Sequence, residues 1–114
     1  MAETLIPQGV AVNPVNGLRV RLGFKFETLA GTFTVTPQKP QFLSFDPDGS
    51  ARQVNMPAAS ASQGLFFRIQ NRGVSAEHLN IHDVNGDAFT PSISVDAGTV
   101  GFIVCNGTTW KKVA

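Results

Sequence analysis

Turn signals recur along this chain at intervals of roughly eight to twelve residues, and no window between them sustains more than one turn of helical pattern. That punctuation restricts the fold to many short strands. The densest example is the stretch 41–71, QFLSFDPDGSARQVNMPAASASQGLFFRIQN. Leu43 and Phe45 alternate with polar neighbours, as in a half-buried strand. Asp46-Pro47-Asp48-Gly49 then turns the chain, because Pro pre-sets φ, Asp bonds nearby amides and Gly accepts positive φ. A short strand follows and stops at Met56-Pro57. After a loop of Ala, Ser and Gln, Gly64 opens the run Leu65–Ile69.

The other strands are read the same way. Leu18, Val20, Leu22, Phe24 and Phe26 alternate with Arg19, Arg21, Gly23 and Lys25, giving one apolar and one cationic face. The cationic face is either solvated, which discourages edge-to-edge pairing, or a contact for an acidic partner. Phe33 and Val35 share one side of a strand, and Leu79 and Ile81 share one side of another. Leu65, Phe67 and Ile69 point one way, yet Phe66 lies on the opposite side with Arg68 and Gln70. Phe66 therefore predicts a strand covered on both faces or a contact with another subunit. Asn85-Gly86 and Asn106-Gly107 predict hairpins, with type I′ geometry at Asn85-Gly86. Pro91 demotes part of its strand to an edge or bend. The expectation is a single-domain, all-β, antiparallel β-sandwich or small barrel, jelly-roll-like.

Residues 1–16 lack such a pattern. Pro7, Gly9 and Pro14 interrupt them, while Leu5, Ile6, Val10, Val12 and Val15 supply aliphatic groups without a sustained face. The segment is either a frayed terminus or an extended arm that orders on a neighbour. The number of aliphatic groups favours the arm, which divides the chain into an arm over 1–16 and a β body over 17–114.

The 114 residues suffice for one core without disulfides, since a chain of this size buries roughly two-thirds of its unfolded surface. A net charge of +1 with 15% charged residues gives no electrostatic case for nucleic acid or an anionic membrane. The start of the chain has no signal-peptide pattern, and no apolar run approaches the roughly 18 residues of a membrane span, so a soluble protein from a reducing compartment is expected. The lone Cys105 follows Ile103 and Val104 and reads as a small packed residue.

Chemistry finds little to stand on. His78 and His82, with Glu77 and Asp83 beside them, superficially resemble a metal set, but on a strand the two imidazoles stand about 13 Å apart. Asp83-Val84-Asn85-Gly86-Asp87 lacks the spacing and closing Glu of a calcium loop, and its Asn-Gly serves a turn. The sequon Asn106-Gly107-Thr108 is read as turn chemistry. The glycines are scattered between strands and lead into no helix, so they form no phosphate loop. No catalytic residues, metal ligands or cofactor-binding residues are assigned, and no enzyme activity is expected.

The order of these elements resembles a known class. It comprises an Asp-Pro turn, a short strand ending in Met56-Pro57 and a small-residue loop. Gly64-Leu65-Phe66-Phe67-Arg68-Ile69-Gln70-Asn71, an Asn-Gly hairpin and Val104-Cys105-Asn106-Gly107-Thr108-Thr109-Trp110 complete it. Over residues 41–113 this is similar to the small β-rich structural modules of tailed-bacteriophage virions, most of all capsid decoration (cement) proteins. The resemblance implies a non-enzymatic protein made in the host cytoplasm that binds the major capsid protein on the outside of the shell and stabilises it. It also implies a homo-oligomer, with a trimer favoured. The candidate contacts are Leu5, Ile6, Val10, Val12, Val15, Arg19, Arg21, Lys25 and Phe66. The alternative is a tail-fibre, head-fibre or spike module that binds a host receptor or glycan. That role would want longer segments for reach than a chain read as complete from Met1 supplies. A jelly-roll hydrolase or lyase would need an acid–base or metal cluster that the sequence does not announce.

Overall fold

The computed structural model describes residues 23–114. The expected arm and the residues Leu5, Ile6, Val10, Val12, Val15, Arg19 and Arg21 lie outside the described residues, as does the expected boundary between arm and body. The described chain is almost entirely β. Its strands are β1 (Phe24–Thr28), β2 (Phe33–Thr34), β3 (Phe42–Asp46), β4 (Arg52–Asn55), β5 (Phe66–Asn71), β6 (Leu79–His82), β7 (Ala88–Val95), β8 (Val100–Cys105) and β9 (Trp110–Lys112), with one 3-10 turn at Ala59–Ala61. No helix among the described residues is long and apolar enough to cross a membrane.

Two sheets pack around one core. The five-stranded sheet has the order β1-β3-β5-β8-β9, and the four-stranded sheet has the order β2-β4-β6-β7. From β1 to β6 the chain alternates between them, so β1, β3 and β5 pair in parallel in one layer while β2, β4 and β6 pair in parallel in the other. Among the described strands only β5–β8, β6–β7 and β8–β9 are antiparallel. The expected antiparallel, jelly-roll-like arrangement is thus corrected to two mixed sheets. The physical reason lies in the turns. Phe45 and Val54 are both fully buried, so the 46–49 turn carries β4 over the core to face β3 instead of laying it alongside. Parallel strands need a crossover connection, and here the crossover for each pair is a strand of the opposite layer.

Local chemistry at the turns follows the sequence closely. Asp48 and Gly49 take φ values of 59° and 85°, and Asp46 Oδ1 accepts the Asp48 N–H at 2.9 Å. Both Asn-Gly sites close hairpins. At 83–87, Gly86 has φ 84° but Asn85 is not left-handed. Gly86 N donates to Asp83 O and Asp83 N donates to Asp87 O. The loop is therefore a three-residue hairpin with the bulge on Gly86, not type I′. The same Asp83 carboxylate accepts the amides of Asn85 and Asp87 at 2.9 Å each. Pairing jumps from Ile81↔Ile93 to His82↔Ala88, so 89–92, with Pro91 at its centre, bends out of the ladder as expected.

Leu43, Phe45, Phe67, Ile69 and Ile103 from one sheet meet Val54, Leu79, Ile81, Ile93 and Val95 from the other, and Leu29, Val35, Met56, Leu65, Cys105 and Trp110 complete the core of the described residues. Burying each large side chain contributes about 1.5–3 kcal/mol. Trp110 packs on Phe67 at 5.8 Å and donates its indole N–H to Pro57 O at 2.8 Å. Cys105 is buried, as expected, with its thiol 3.3 Å from Ala59 O.

Candidate interaction surface

Side chains on a strand alternate between faces, and the registers fix which of them share the outside of each sheet. On the five-stranded sheet, one outer row runs Phe24↔Phe42↔Arg68↔Phe102 across four strands. The row beside it runs Phe26↔Ser44↔Gln70↔Val100. A third joins Phe66, Val104 and Lys111. The outside of this sheet therefore gathers Phe24, Phe26, Phe42, Phe66 and Phe102.

These rings are organised. Phe24 lies 5.2 Å from Phe42 and 6.2 Å from Phe26, and Phe66 stacks on Phe102 at 5.0 Å with their planes 11° apart. Phe24 and Phe26 are 67% and 68% exposed. A polar chain divides the aromatic groups: Arg72 Nε donates to Ser44 Oγ, and Ser44 Oγ donates to Gln70 Oε1, both at 2.8 Å. Arg68 stands exposed between Phe42 and Phe102, and its guanidinium has no ion pair or hydrogen bond among the described residues.

The outside of the four-stranded sheet has the opposite chemistry. Its rows are Thr34↔Asn55↔His82↔Ala88 and Gln53↔Asn80↔Ser94. Gln53 Nε2 donates to Asn55 Oδ1 at 2.8 Å. This is the amide and hydroxyl surface expected of a solvated sheet.

Of the contact residues named from sequence, two are described. Phe66 lies on the aromatic face. Lys25 has the other parity on β1, where it is half-buried and pairs with Glu27 at 3.1 Å. β1 thus presents its phenylalanines to solvent and turns its charges to the inner side of an edge strand. Among the described residues that inner side has little to cover it, since β2 is only two residues long. The exposed cations on the aromatic face are instead Arg68 and Lys111, which were not among the expected contacts. A signal existed: Phe42-Leu43, Phe66-Phe67 and Phe102-Ile103 are apolar on both parities, the pattern of strands covered on two sides.

Other candidates are occupied with structure. His78 Nδ1 lies 2.9 Å from Asp96 Oδ1, and His82 Nδ1 lies 2.9 Å from Gly86 O, so the two rings serve separate turns. No group of three or more metal-ligating side chains occurs among the described residues. A shallow groove of about 150 Å³ runs between 89–93 and 109–112, where the edge strands β7 and β9 approach. Lys112 bridges it by donating from Nζ to Ser94 O at 3.1 Å.

Comparison with protein-family models, curated proteins and solved structures finds no match in any of the three.

Proposed function

We propose that this protein is a non-enzymatic structural protein of a tailed-phage virion, bound as a homotrimer to the outer surface of the capsid, where it stabilises the shell. The observation that carries this reading is the chemical asymmetry of the two sheets: one outer face is aromatic and cationic, and the other is amides and hydroxyls. A two-layer module with one adhesive and one wettable face suits a molecule that lies on a surface. The resemblance of residues 41–113 to decoration modules supports the same reading. Many such molecules, each with a modest contact, reinforce a lattice because their sites repeat.

The test is reconstitution. Shells of the encoding phage prepared without this protein should take it up at saturable, symmetry-related sites. Their heat-induced disruption should move to higher temperature as occupancy rises, because a ligand bound only to the intact state stabilises that state. Lack of uptake by shells, together with binding to host cells or glycans, would replace this reading with a receptor-binding fibre module.

A further inference from the structure

The aromatic face has the composition of half an interface, and its charges say what the other half contains. Phe24 and Phe26 together leave on the order of 250–300 Å² of ring surface in water, taking about 200 Å² for a whole aromatic side chain. With Phe42, Phe66, Phe102 and Val104 alongside, the patch reaches the several-hundred-Å² size that marks an interaction site. In projection, five strands about 4.8 Å apart and five residues long cover about 400 Å². That is roughly half of what each partner gives to a standard protein interface.

Three cations have outward positions on or beside this face: Arg68, Arg72 and Lys111. Arg72 is held by Ser44 Oγ, by Glu27 O and by the Phe26 ring, none of which is a carboxylate. Asp46 is the one acid of the same parity on the described strands of this sheet, and its carboxylate is engaged in the 46–49 turn. The face is therefore apolar with uncompensated positive charge at its middle.

We infer that this face docks on a protein surface presenting carboxylates among aliphatic or aromatic side chains. Arg68 is its ionic anchor, and Phe24, Phe26, Phe42 and Phe102 are its apolar contacts. The inference rests on the structural-protein reading and deepens it by assigning the surface and the chemistry of its partner. A guanidinium is weakly hydrated and matches a carboxylate with two parallel hydrogen bonds, and partly desolvated aromatic surroundings strengthen that pair. A second copy fits less well, because a two-fold contact centred on this face sets Arg68 against the same cations of its mate. Single-stranded nucleic acid would stack on the rings, but three cations in a chain of net charge +1 make no track for a phosphate backbone.

The experiment compares wild type with Arg68→Glu and with the double variant Phe24→Ser/Phe26→Ser. Each is titrated onto shells lacking the protein, and Gln53→Glu on the opposite face serves as the control. Far-UV circular dichroism and Trp110 emission confirm folding, which exposed substitutions leave intact. The expected result is that both face variants raise Kd about tenfold or more, Gln53→Glu does not, and wild-type affinity falls with added salt. If shells bind wild type and face variants equally, the docking inference is overturned while the capsid reading stands. If wild type does not bind shells, both fall. Two further results overturn the inference: face variants that dissociate a wild-type oligomer, which makes the face a contact between copies, or wild-type binding to oligo(dT) that the face variants lose.

Discussion

The guanidinium of Arg72 lies over the ring of Phe26, with Cζ 5.5 Å from the ring centroid. The same side chain reaches Ser44 Oγ at 2.8 Å and Glu27 O at 3.2 Å. It thus ties the residue after β5 to β3 and to the edge strand β1 beyond it. Arg72→Ala removes these two hydrogen bonds, a longer one to Ser44 O at 3.5 Å and a cation–π contact, so it should cost about 1–3 kcal/mol in urea unfolding. Amide exchange should rise most in β1. Arg72→Lys keeps the charge but not the fork, and should recover only part of the loss.

Asn71 is a buried joint between the layers. Its Nδ2 donates to Glu77 O at 2.8 Å and to Val95 O at 2.9 Å, while Oδ1 accepts the Gly73 N–H at 2.8 Å. Asn71→Ala leaves these backbone groups without their partner and should destabilise by about 2–4 kcal/mol. Gly73→Ala strains the same joint, because a Cβ there stands 2.9 Å from Asn71 Oδ1 and 3.2 Å from Glu77 Oε2. Denaturant midpoints should rank both below wild type.

Gly101 sets the spacing between β8 and β7. A Cβ at this position lies 2.7 Å from Val95 Cγ2, a side chain that is itself fully buried. Gly101→Ala should cost about 1–3 kcal/mol by overpacking. Adding Val95→Ala to the variant should restore less than the full loss, since the second change opens space elsewhere in the core. The double-mutant cycle measures that coupling.

Cys105 and Trp110 are cross-strand partners, both 2% exposed. Native protein should therefore give blue-shifted tryptophan emission and almost no reaction with a thiol reagent. Thiol labelling should follow the denaturant dependence of unfolding, with the labelled fraction rising along the same transition as the emission shift.

Deletion of residues 1–16 should leave the unfolding midpoint of the body nearly unchanged, because the two sheets close a shared core from Leu29 to Trp110 within the described residues. The capsid reading gives the deletion a second outcome: weaker attachment to shells. Unchanged shell occupancy would remove the arm from the binding surface.

Much of the fold was legible locally. Asp46-Pro47-Asp48-Gly49, Asn85-Gly86 and Asn106-Gly107 all turn the chain, and the inward parity of Leu43, Phe45, Phe67, Ile69, Leu79 and Ile81 follows from alternation. The plane of each turn was not legible. A turn motif fixes where the backbone bends, but whether the next strand lies beside its predecessor or across from it depends on burial summed over both layers. The interaction face was half legible. Phe66 gave it away because it adjoins Phe67, whereas Phe24 and Phe26 read as inward-facing until the edge position of β1 turned them out. Arg68 passed for ordinary surface charge, since only the register reveals that phenylalanines flank it on both sides.

The alternation of β1 to β6 between layers also shapes how the molecule can assemble itself. Each parallel pair joins segments separated by an entire strand of the opposite sheet, so neither sheet can be finished before the other has begun. Among the described strands, only β6–β7 and β8–β9 pair neighbours in sequence, so early folding is expected to begin with these two hairpins. Loop closure for the remaining pairs must be met before their contacts repay it, which places this small domain among slow, strongly cooperative folders. Among the described strands, both sequence-local hairpins lie in the C-terminal half, so the aromatic strands β1 and β3 are expected to join after them.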